Sequence, residues 1–198
     1  MPAYAKIFSF SWLKALTLSL LMVLSAMVAN AQEQTASAPV GGRFMLEDHN
    51  GQVVTDQDYR GRFLLITFGY TYCPDVCPTN LVNMSEALEH LGERADQIAP
   101  VFVTVDPGRD TAERLRDYVD HFDQRITGLT GPQPMIDSIS KRYKIVTDIH
   151  RPKGWDQDDY LVDHTGSIFL MSPEGTFLVK FAHGMPPADM AIRIADFM

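Results

Sequence analysis

The stretch FLLITFGYTYCPDVCPTN, from Phe63 to Asn80, constrains the fold more than any other part of the chain. Its first six residues are almost wholly apolar, which predicts a strand buried on both faces at the centre of a sheet. The two cysteines of the chain, Cys73 and Cys77, follow, and Pro78 suits the first position of a helix. Both sulfurs are therefore predicted to lie at a strand-to-helix turn.

The position of the cysteines at this turn predicts their chemistry. Cys77 lies at or beside the helix N-terminus, where unpaired N–H groups and the helix dipole favour a thiolate. We therefore expect Cys77 to be the more nucleophilic of the two. Asp75, between the cysteines, disfavours a second negative charge, and a bound cation would relieve that conflict.

The N-terminus has a different composition from the rest of the chain. Residues 1–31 contain two lysines and no acidic residue, followed by an apolar centre and the sequence Ala29-Asn30-Ala31. This pattern is typical of a secretory signal peptide cleaved after Ala31, with an uncleaved membrane anchor as the alternative. Residues 32–41 are polar and small and predict a flexible linker. Residues 42–198 are then expected to form a single domain.

The mature chain is predicted to be acidic. Removing residues 1–31 leaves 15 basic and 25 acidic residues, a net charge of −10, which makes nucleic acid a poor partner. In a secreted protein, a disulfide between the cysteines is the plain structural alternative to a reactive site. A bridge across so short a loop removes little unfolded-state entropy, so a chemical role explains the pair better.

The remaining segments predict an α/β fold. Asn50-Gly51 predicts an N-terminal hairpin, and Asp110, three residues before Glu113, predicts a helix cap. Met135 and Phe197 are expected on the buried faces of the last two helices. The predicted segments are a hairpin at Arg43–Thr55, strands at Ala99–Asp106, Thr127–Thr130, Ser167–Met171 and Thr176–Phe181, helices from Asp110 to about Phe122, at Gln133–Tyr143 and at Pro186–Met198, and an inserted hairpin or loop at residues 145–164. Alternating strands and helices predict a thioredoxin-like mixed sheet flanked by helices, with the insertion before the third core strand.

A histidine far along the chain completes a candidate metal site. In a thioredoxin-like layout, the turn before the strand at residues 167–171 faces the cysteine turn, so His164 is placed to approach Cys73 and Cys77. Two thiolates and one imidazole suit copper, whereas three ligands leave a structural zinc site short of its usual four. The alternative is a turn histidine that is hydrogen-bonded to its neighbours.

Three motifs, in order along the chain, resemble those of the Sco/SenC family of copper metallochaperones, which is named for its role in cytochrome c oxidase assembly. The motifs are GYTYCPDVCPT (Gly69–Thr79), VDPGRDT (Val105–Thr111) and DHTGSIFLMSPEGTF (Asp163–Phe177). The resemblance extends from about Gly42 to the C-terminus. It implies a thioredoxin-like protein of the periplasm or the mitochondrial inner membrane.

The resemblance also implies a ligand set and a function. Copper, as Cu(I) or Cu(II), would be bound by Cys73, Cys77 and His164, with Asp75 beside the ligands tuning the thiolates. The protein would be a metallochaperone rather than an enzyme, delivering copper to the Cu-A centre of cytochrome c oxidase subunit II or to another copper-accepting protein. An upstream periplasmic copper donor or a thiol reductant would be a further partner.

Two features depart from the family pattern. Many members have Glu at the position of Gly108, and many keep a membrane anchor that cleavage after Ala31 would remove.

A second function uses the same residues as the proposed copper site. In this alternative, the protein is a thiol–disulfide oxidoreductase that keeps the cysteines of the copper-site client reduced, with Cys77 and Cys73 as the redox pair. The two functions differ in their need for His164.

Other polar residues have simpler interpretations. Asp106 and Arg109, like Asp110, are expected at a strand end and a helix cap, with partner docking as the alternative. The acidic loop Trp155–Asp159 is expected to be solvated. His183 and Met185 are potential copper ligands, but the histidines other than His164 are interpreted as surface residues, namely His49, His90, His121, His150 and His183.

Overall fold

The computed structural model describes residues 39–156 and 159–198, so the predicted signal peptide and most of the predicted linker lie outside the described residues. The strands are β1 (Met45–Asp48), β2 (Val53–Thr55), β3 (Phe63–Gly69), β4 (Ile98–Thr104), β5 (Thr127–Thr130), β6 (Thr147–His150), β7 (Leu161–His164), β8 (Ile168–Met171) and β9 (Phe177–Phe181). The α-helices are α1 (Val76–Leu91), α2 (Ala112–Val119), α3 (Gln133–Arg142) and α4 (Pro187–Ala195). Within the two described ranges, none of the helices is long and apolar enough to cross a bilayer.

The larger sheet has the strand order β2-β1-β5-β4-β3-β8-β9 within the described chain. Strands β3, β4 and β5 run parallel, and β8 pairs antiparallel with β3 on its other side. All seven residues of β3 are buried, as the apolar run predicts for a strand with neighbours on both sides. The predicted α/β class, with a mixed sheet flanked by helices, is confirmed.

The predicted insertion is a separate hairpin. Strands β6 and β7 pair antiparallel with each other and form a two-stranded sheet, in which Thr147 lies opposite His164. All four residues of β6 are exposed, and Val162 is the buried residue of β7. The insertion therefore places His164 at the end of a hairpin that lies outside the main sheet. The predicted N-terminal hairpin is likewise confirmed as β1 and β2.

Three predicted helix boundaries are wrong. Helix α1 begins at Val76 rather than at Pro78, because proline is tolerated throughout the first turn, where N–H groups lack intrahelical partners. The cap of α2 is Thr111, whose side chain accepts from the Arg114 N–H, because the Asp110 carboxylate is committed to other partners. The same helix ends at Val119, three residues before the predicted end.

Two predicted core residues are exposed instead. Met135 on α3 is 41% exposed and Phe197, beyond the end of α4, is 39% exposed. The buried apolar residues of these helices are instead Ile136 and Ile139 on α3, and Met190, Ala191 and Ile194 on α4. Met135 lies one helical turn before Ile139 and therefore at the edge of the buried face, where part of its side chain stays exposed.

Candidate metal centre

The cysteines lie where β3 passes into α1. Cys77 is the second residue of α1 and is 1% exposed, whereas Cys73 lies in the preceding loop and is half-buried. A Cβ atom at Gly69 would lie 2.5 Å from Cys77 Sγ and 2.8 Å from Phe102 Cε2. Glycine at the end of β3 therefore makes the space into which the Cys77 sulfur packs. Both cysteines are free thiols.

The structure brings His164 to the two sulfurs. Its Nε2 lies 3.0 Å from Cys77 Sγ, and the ligand atoms of Cys73, Cys77 and His164 all lie within 4.8 Å of one another. His164 Nδ1 donates to the Thr165 carbonyl at 3.3 Å, because that oxygen can only accept. This bond orients the ring so that Nε2 faces the sulfurs. With the ring proton on Nδ1, Nε2 has a lone pair that can accept a proton from a thiol or bind a metal ion.

The two thiols have opposite pKa shifts. A hydrogen bond from the Cys77 thiol is the main cause that lowers the pKa of Cys73, to about 3, and the His164 side chain and the backbone N–H groups of Asp75 and Cys77 lower it further. The pKa of Cys77 is raised because its thiol donates to Cys73 and is buried. These directions favour Cys73, rather than the predicted Cys77, as the thiolate of the pair. The N–H groups at the start of α1 stabilise Cys73 instead.

Asp75 occupies the N-cap position of α1. It is exposed, and its side chain makes no capping hydrogen bond. Its carbonyl accepts from the Thr79 N–H at 3.3 Å and from the Thr79 hydroxyl at 2.9 Å. Its contribution to the Cys73 thiolate is made by the main-chain N–H, and tuning of the thiolates by its carboxylate stays a prediction.

Tyr70 connects the cysteine loop to the inserted hairpin. It is 2% exposed, and its ring meets the His164 imidazole edge-on, with centroids 6.0 Å apart and planes at 85°. Its hydroxyl accepts from the Val162 N–H on β7 at 3.1 Å. Sequence reasoning missed this residue, because an aromatic residue in a loop carries no local mark of a partner 92 positions away.

Arg109 attaches the hairpin to the end of β4. Its Nε lies 2.5 Å from Asp106 Oδ2, and its Nη1 donates to the Tyr160 carbonyl at 3.0 Å. The guanidinium stacks on the Tyr160 ring at 3.5 Å, and the Tyr160 hydroxyl donates to Asp106 Oδ1 at 2.7 Å. Asp106 and Arg109 therefore do more than end a strand: with Tyr160 they form a clamp just before β7.

Asp110 fixes the cysteine loop from the opposite side. It is fully buried, and its carboxylate accepts from the Thr71 N–H at 3.0 Å, the Thr71 hydroxyl at 2.6 Å and the Thr104 hydroxyl at 2.6 Å. Burial raises the pKa of this carboxyl group despite the three hydrogen bonds. The loop before Cys73 is therefore bonded to a residue that follows β4.

The other candidate ligands lie apart from this site. Among residues 39–156 and 159–198, Cys73, Cys77 and His164 are the one group of three His, Cys, Asp or Glu side chains placed to share a metal ion. Trp155, in the acidic loop, is 51% exposed, and residues 157–158 of that loop lie outside the described chain. His90, His121, His150 and His183 are exposed, as predicted, whereas His49 is half-buried and its Nδ1 accepts from the Gly128 N–H.

The match to a family model and the similarity to individual relatives indicate the same family. The SCO1/SenC family model matches residues 32–198. The protein "Protein sco1" of Schizosaccharomyces pombe is 40% identical over 161 residues, which are 80% of this chain and 60% of the relative. This chain therefore spans less than two thirds of that relative's length.

Two solved structures with copper bound have the same fold. Bradyrhizobium japonicum ScoI with copper bound is 38% identical, with a TM-score of 0.74 over 80% of this chain and 99% of that one. Yeast Sco1 with copper bound is 33% identical, with a TM-score of 0.73 over 80% of this chain and 87% of that one. By its match to the family model and its identity to these relatives, the chain belongs to the SCO1/SenC family.

Proposed function

We propose that this protein is a copper metallochaperone that holds copper through Cys73, Cys77 and His164. The observation that supports this most directly is the convergence of two sulfurs and an imidazole nitrogen within 4.8 Å at the end of the sheet. Thiolates select Cu(I), and imidazole suits both copper oxidation states. The relatives solved with copper bound support the same metal.

The residues have different parts in copper capture. Cys73, a half-exposed thiolate, is the first sulfur that an incoming ion can reach. Cys77 lies deeper and loses the proton that it shares with Cys73, since thiols bind metal in the deprotonated form. His164 then closes the site from the hairpin side. Three protein ligands leave room for a ligand of the acceptor, so copper can pass on by ligand exchange.

The same proposal includes a compartment and a partner. The signal-peptide pattern of residues 1–31 favours the periplasm. The acceptor would be the Cu-A centre of cytochrome c oxidase subunit II or a related copper enzyme, in line with the family resemblance. Copper would reach this protein from an upstream periplasmic donor, and a thiol reductant would keep both cysteines reduced.

Replacement of the histidine tests the proposed ligand set. We expect His164→Ala to lose tight Cu(I) binding in competition with a chelator, while both thiols remain titratable. His150→Ala is the matched control, because His150 also lies on the hairpin but is exposed and its Nε2 contacts Asp163 at 2.9 Å instead of sulfur. Equal Cu(I) affinity in His164→Ala and His150→Ala would refute the ligand set.

The low pKa of Cys73 supports a second candidate function, thiol–disulfide exchange. The Cys73 thiolate would attack a client disulfide, and Cys77 would then displace the client thiol, so that the client gains two electrons and two protons as the pair becomes a disulfide. This order reverses the roles expected from the sequence. If His164→Ala restores oxidase activity in cells that lack the protein, exchange rather than copper delivery is the essential function.

A further inference from the structure

Asn80 is a buried amide one helical turn after Cys77. It is 1% exposed, and the spacing of three residues places both side chains on neighbouring positions of one face of α1. A buried amide is retained at little cost only when its donors and acceptor find partners. The partners of Asn80 lie on two segments far along the chain.

The first partner fixes the orientation of the amide. Asn80 Nδ2 lies 3.3 Å from the carbonyl oxygen of Gly166, which can only accept a hydrogen bond. Asn80 Oδ1 then faces His183 Nδ1 at 3.0 Å, so that His183 must donate from Nδ1. Asn80 therefore joins α1 to the turn between β7 and β8 and to the loop between β9 and α4.

This turn directly follows His164, the last residue of β7. Gly166 follows His164 by two residues and packs so tightly on α1 that a Cβ there would lie 2.7 Å from Val76 Cγ1. Thr165, between them, exchanges hydrogen bonds of 3.1 Å with the backbone of Val146. The turn is therefore held on the hairpin side by Val146 and on the helix side by Asn80.

We infer that Asn80 is a positioning residue for copper binding: it fixes the distance between the His164 imidazole and Cys77 Sγ, and His183 orients its amide. This inference rests on the proposed ligand set. Without the Asn80 bond, the turn keeps its bonds to Val146 but loses its hydrogen bond to α1, so Nε2 can shift relative to Cys77 Sγ. Cys73 and Cys77 keep their own contacts, so the loss affects the imidazole ligand and not the thiols.

The test compares Asn80→Leu with Asn83→Leu. Asn83 lies on the same helix and donates to the Met185 carbonyl at 3.3 Å in the same loop as His183, but it has no bond to the His164 turn. We expect Asn80→Leu to bind Cu(I) about tenfold more weakly in competition with a chelator, the loss typical when support of a ligand is removed. The sulfur-to-Cu(II) charge-transfer band should shift in the same variant. Asn83→Leu should show neither change.

His183, which orients the Asn80 amide, provides a second pair of variants. Replacing His183 does not alter the buried face of α1. His183→Asn keeps a donor near the position of Nδ1 for Asn80 Oδ1 and should retain the wild-type charge-transfer band, whereas His183→Leu should shift it toward that of Asn80→Leu. This pair decides the question if Asn80→Leu does not fold. The melting temperature and the rate of Cys73 alkylation in the apoprotein should be the same for both His183 variants.

Two results separate this inference from the proposed function. If His164→Ala loses Cu(I) affinity but Asn80→Leu and His183→Leu keep the wild-type affinity and band, the positioning role is wrong and the ligand set stands. If His164→Ala binds as wild type does, the ligand set itself is wrong. A loss of affinity in Asn83→Leu equal to that in Asn80→Leu would also contradict the inference, since it would make the effect one of general packing.

Discussion

The two sides of the candidate copper site differ in how firmly they are built. The sulfur side is part of the core: β3 is wholly buried, Cys77 is packed against Gly69, and Asp110 bonds the loop before Cys73. The imidazole side is a two-stranded hairpin outside the main sheet, with every residue of β6 exposed. An isolated two-stranded hairpin is marginally stable in water.

This difference assigns separate roles to the two sides. The hairpin depends on a few contacts at its base, made by Tyr70, Asn80 and the clamp of Asp106, Arg109 and Tyr160. Local opening is easiest where few buried contacts oppose it. We therefore expect the sulfur side to keep its geometry while the His164 side opens to admit copper and to release it.

The largest effect should come from the sulfur side. Gly69→Ala places a Cβ 2.5 Å from Cys77 Sγ and against the Phe102 ring, so either the helix start or the ring must shift. We expect a loss of about 1–3 kcal/mol in the free energy of unfolding, measured with denaturant, together with weaker Cu(I) binding. Gly92→Ala adds a Cβ with no atom within 4 Å but at a positive φ, and should leave Cu(I) affinity unchanged. Unaltered copper binding in Gly69→Ala would show that the sulfur side is not rigid.

The next effect should be confined to the hairpin. Tyr160→Leu removes the ring and hydroxyl of the clamp but leaves the Arg109–Asp106 ion pair in place. We expect faster amide hydrogen exchange in β6 and β7, unchanged exchange in β3, and Cu(I) affinity reduced by about tenfold. Trp155→Leu, which replaces an exposed aromatic residue of the same insertion, is the control. Equally faster exchange in β3 would contradict the division into two regions.

A smaller effect is expected at Tyr70. Tyr70→Phe keeps the ring beside His164 but removes the hydroxyl that accepts from the Val162 N–H. One unsatisfied buried N–H costs about 1–3 kcal/mol locally, so exchange at Val162 should rise while the global free energy of unfolding changes little. The readout is residue-resolved hydrogen exchange by NMR. Unchanged protection of the Val162 amide would show that this bond does not hold β7.

The smallest effect concerns pH. Because the pKa of Cys73 is lowered to about 3 while that of Cys77 is raised, Cys73 is a thiolate and Cys77 a thiol at neutral pH. The rate at which iodoacetamide alkylates the apoprotein should therefore be nearly constant between about pH 5 and pH 8, with the label on Cys73. A rate that rises tenfold for each pH unit in this range would indicate an ordinary thiol and contradict the shared-proton arrangement.

Periodicity and motifs were sufficient for the elements of the site and for its broad geometry. The apolar run before Gly69 predicts the central strand, and the polar segment between β-branched residues predicts the hairpin that ends at His164. Local spacing could not predict which thiol is ionised, because the Cys77 thiol donates a hydrogen bond to Cys73 and is buried, and both effects oppose its place at the helix N-terminus.

The residues that hold the metal ligands in place could not be predicted from local patterns either, for a related reason. Tyr70, Asn80 and Arg109 act through backbone and side-chain partners that are 92, 86 and 51 positions away along the chain. The spacing of Asp110 to Glu113 predicts a helix cap, yet the fold brings Thr71 and Thr104 to the Asp110 carboxylate and leaves Thr111 to cap α2. Such pairings depend on the strand order, which a local pattern does not contain.

The most direct test of the two-sided copper site is X-ray absorption at the copper edge of the Cu(I)-loaded protein and of His164→Ala. The wild-type spectrum should show two sulfur ligands and one imidazole nitrogen, and the variant should keep both sulfurs and lose the imidazole. A wild-type spectrum with sulfur ligands alone, identical to that of the variant, would contradict the account.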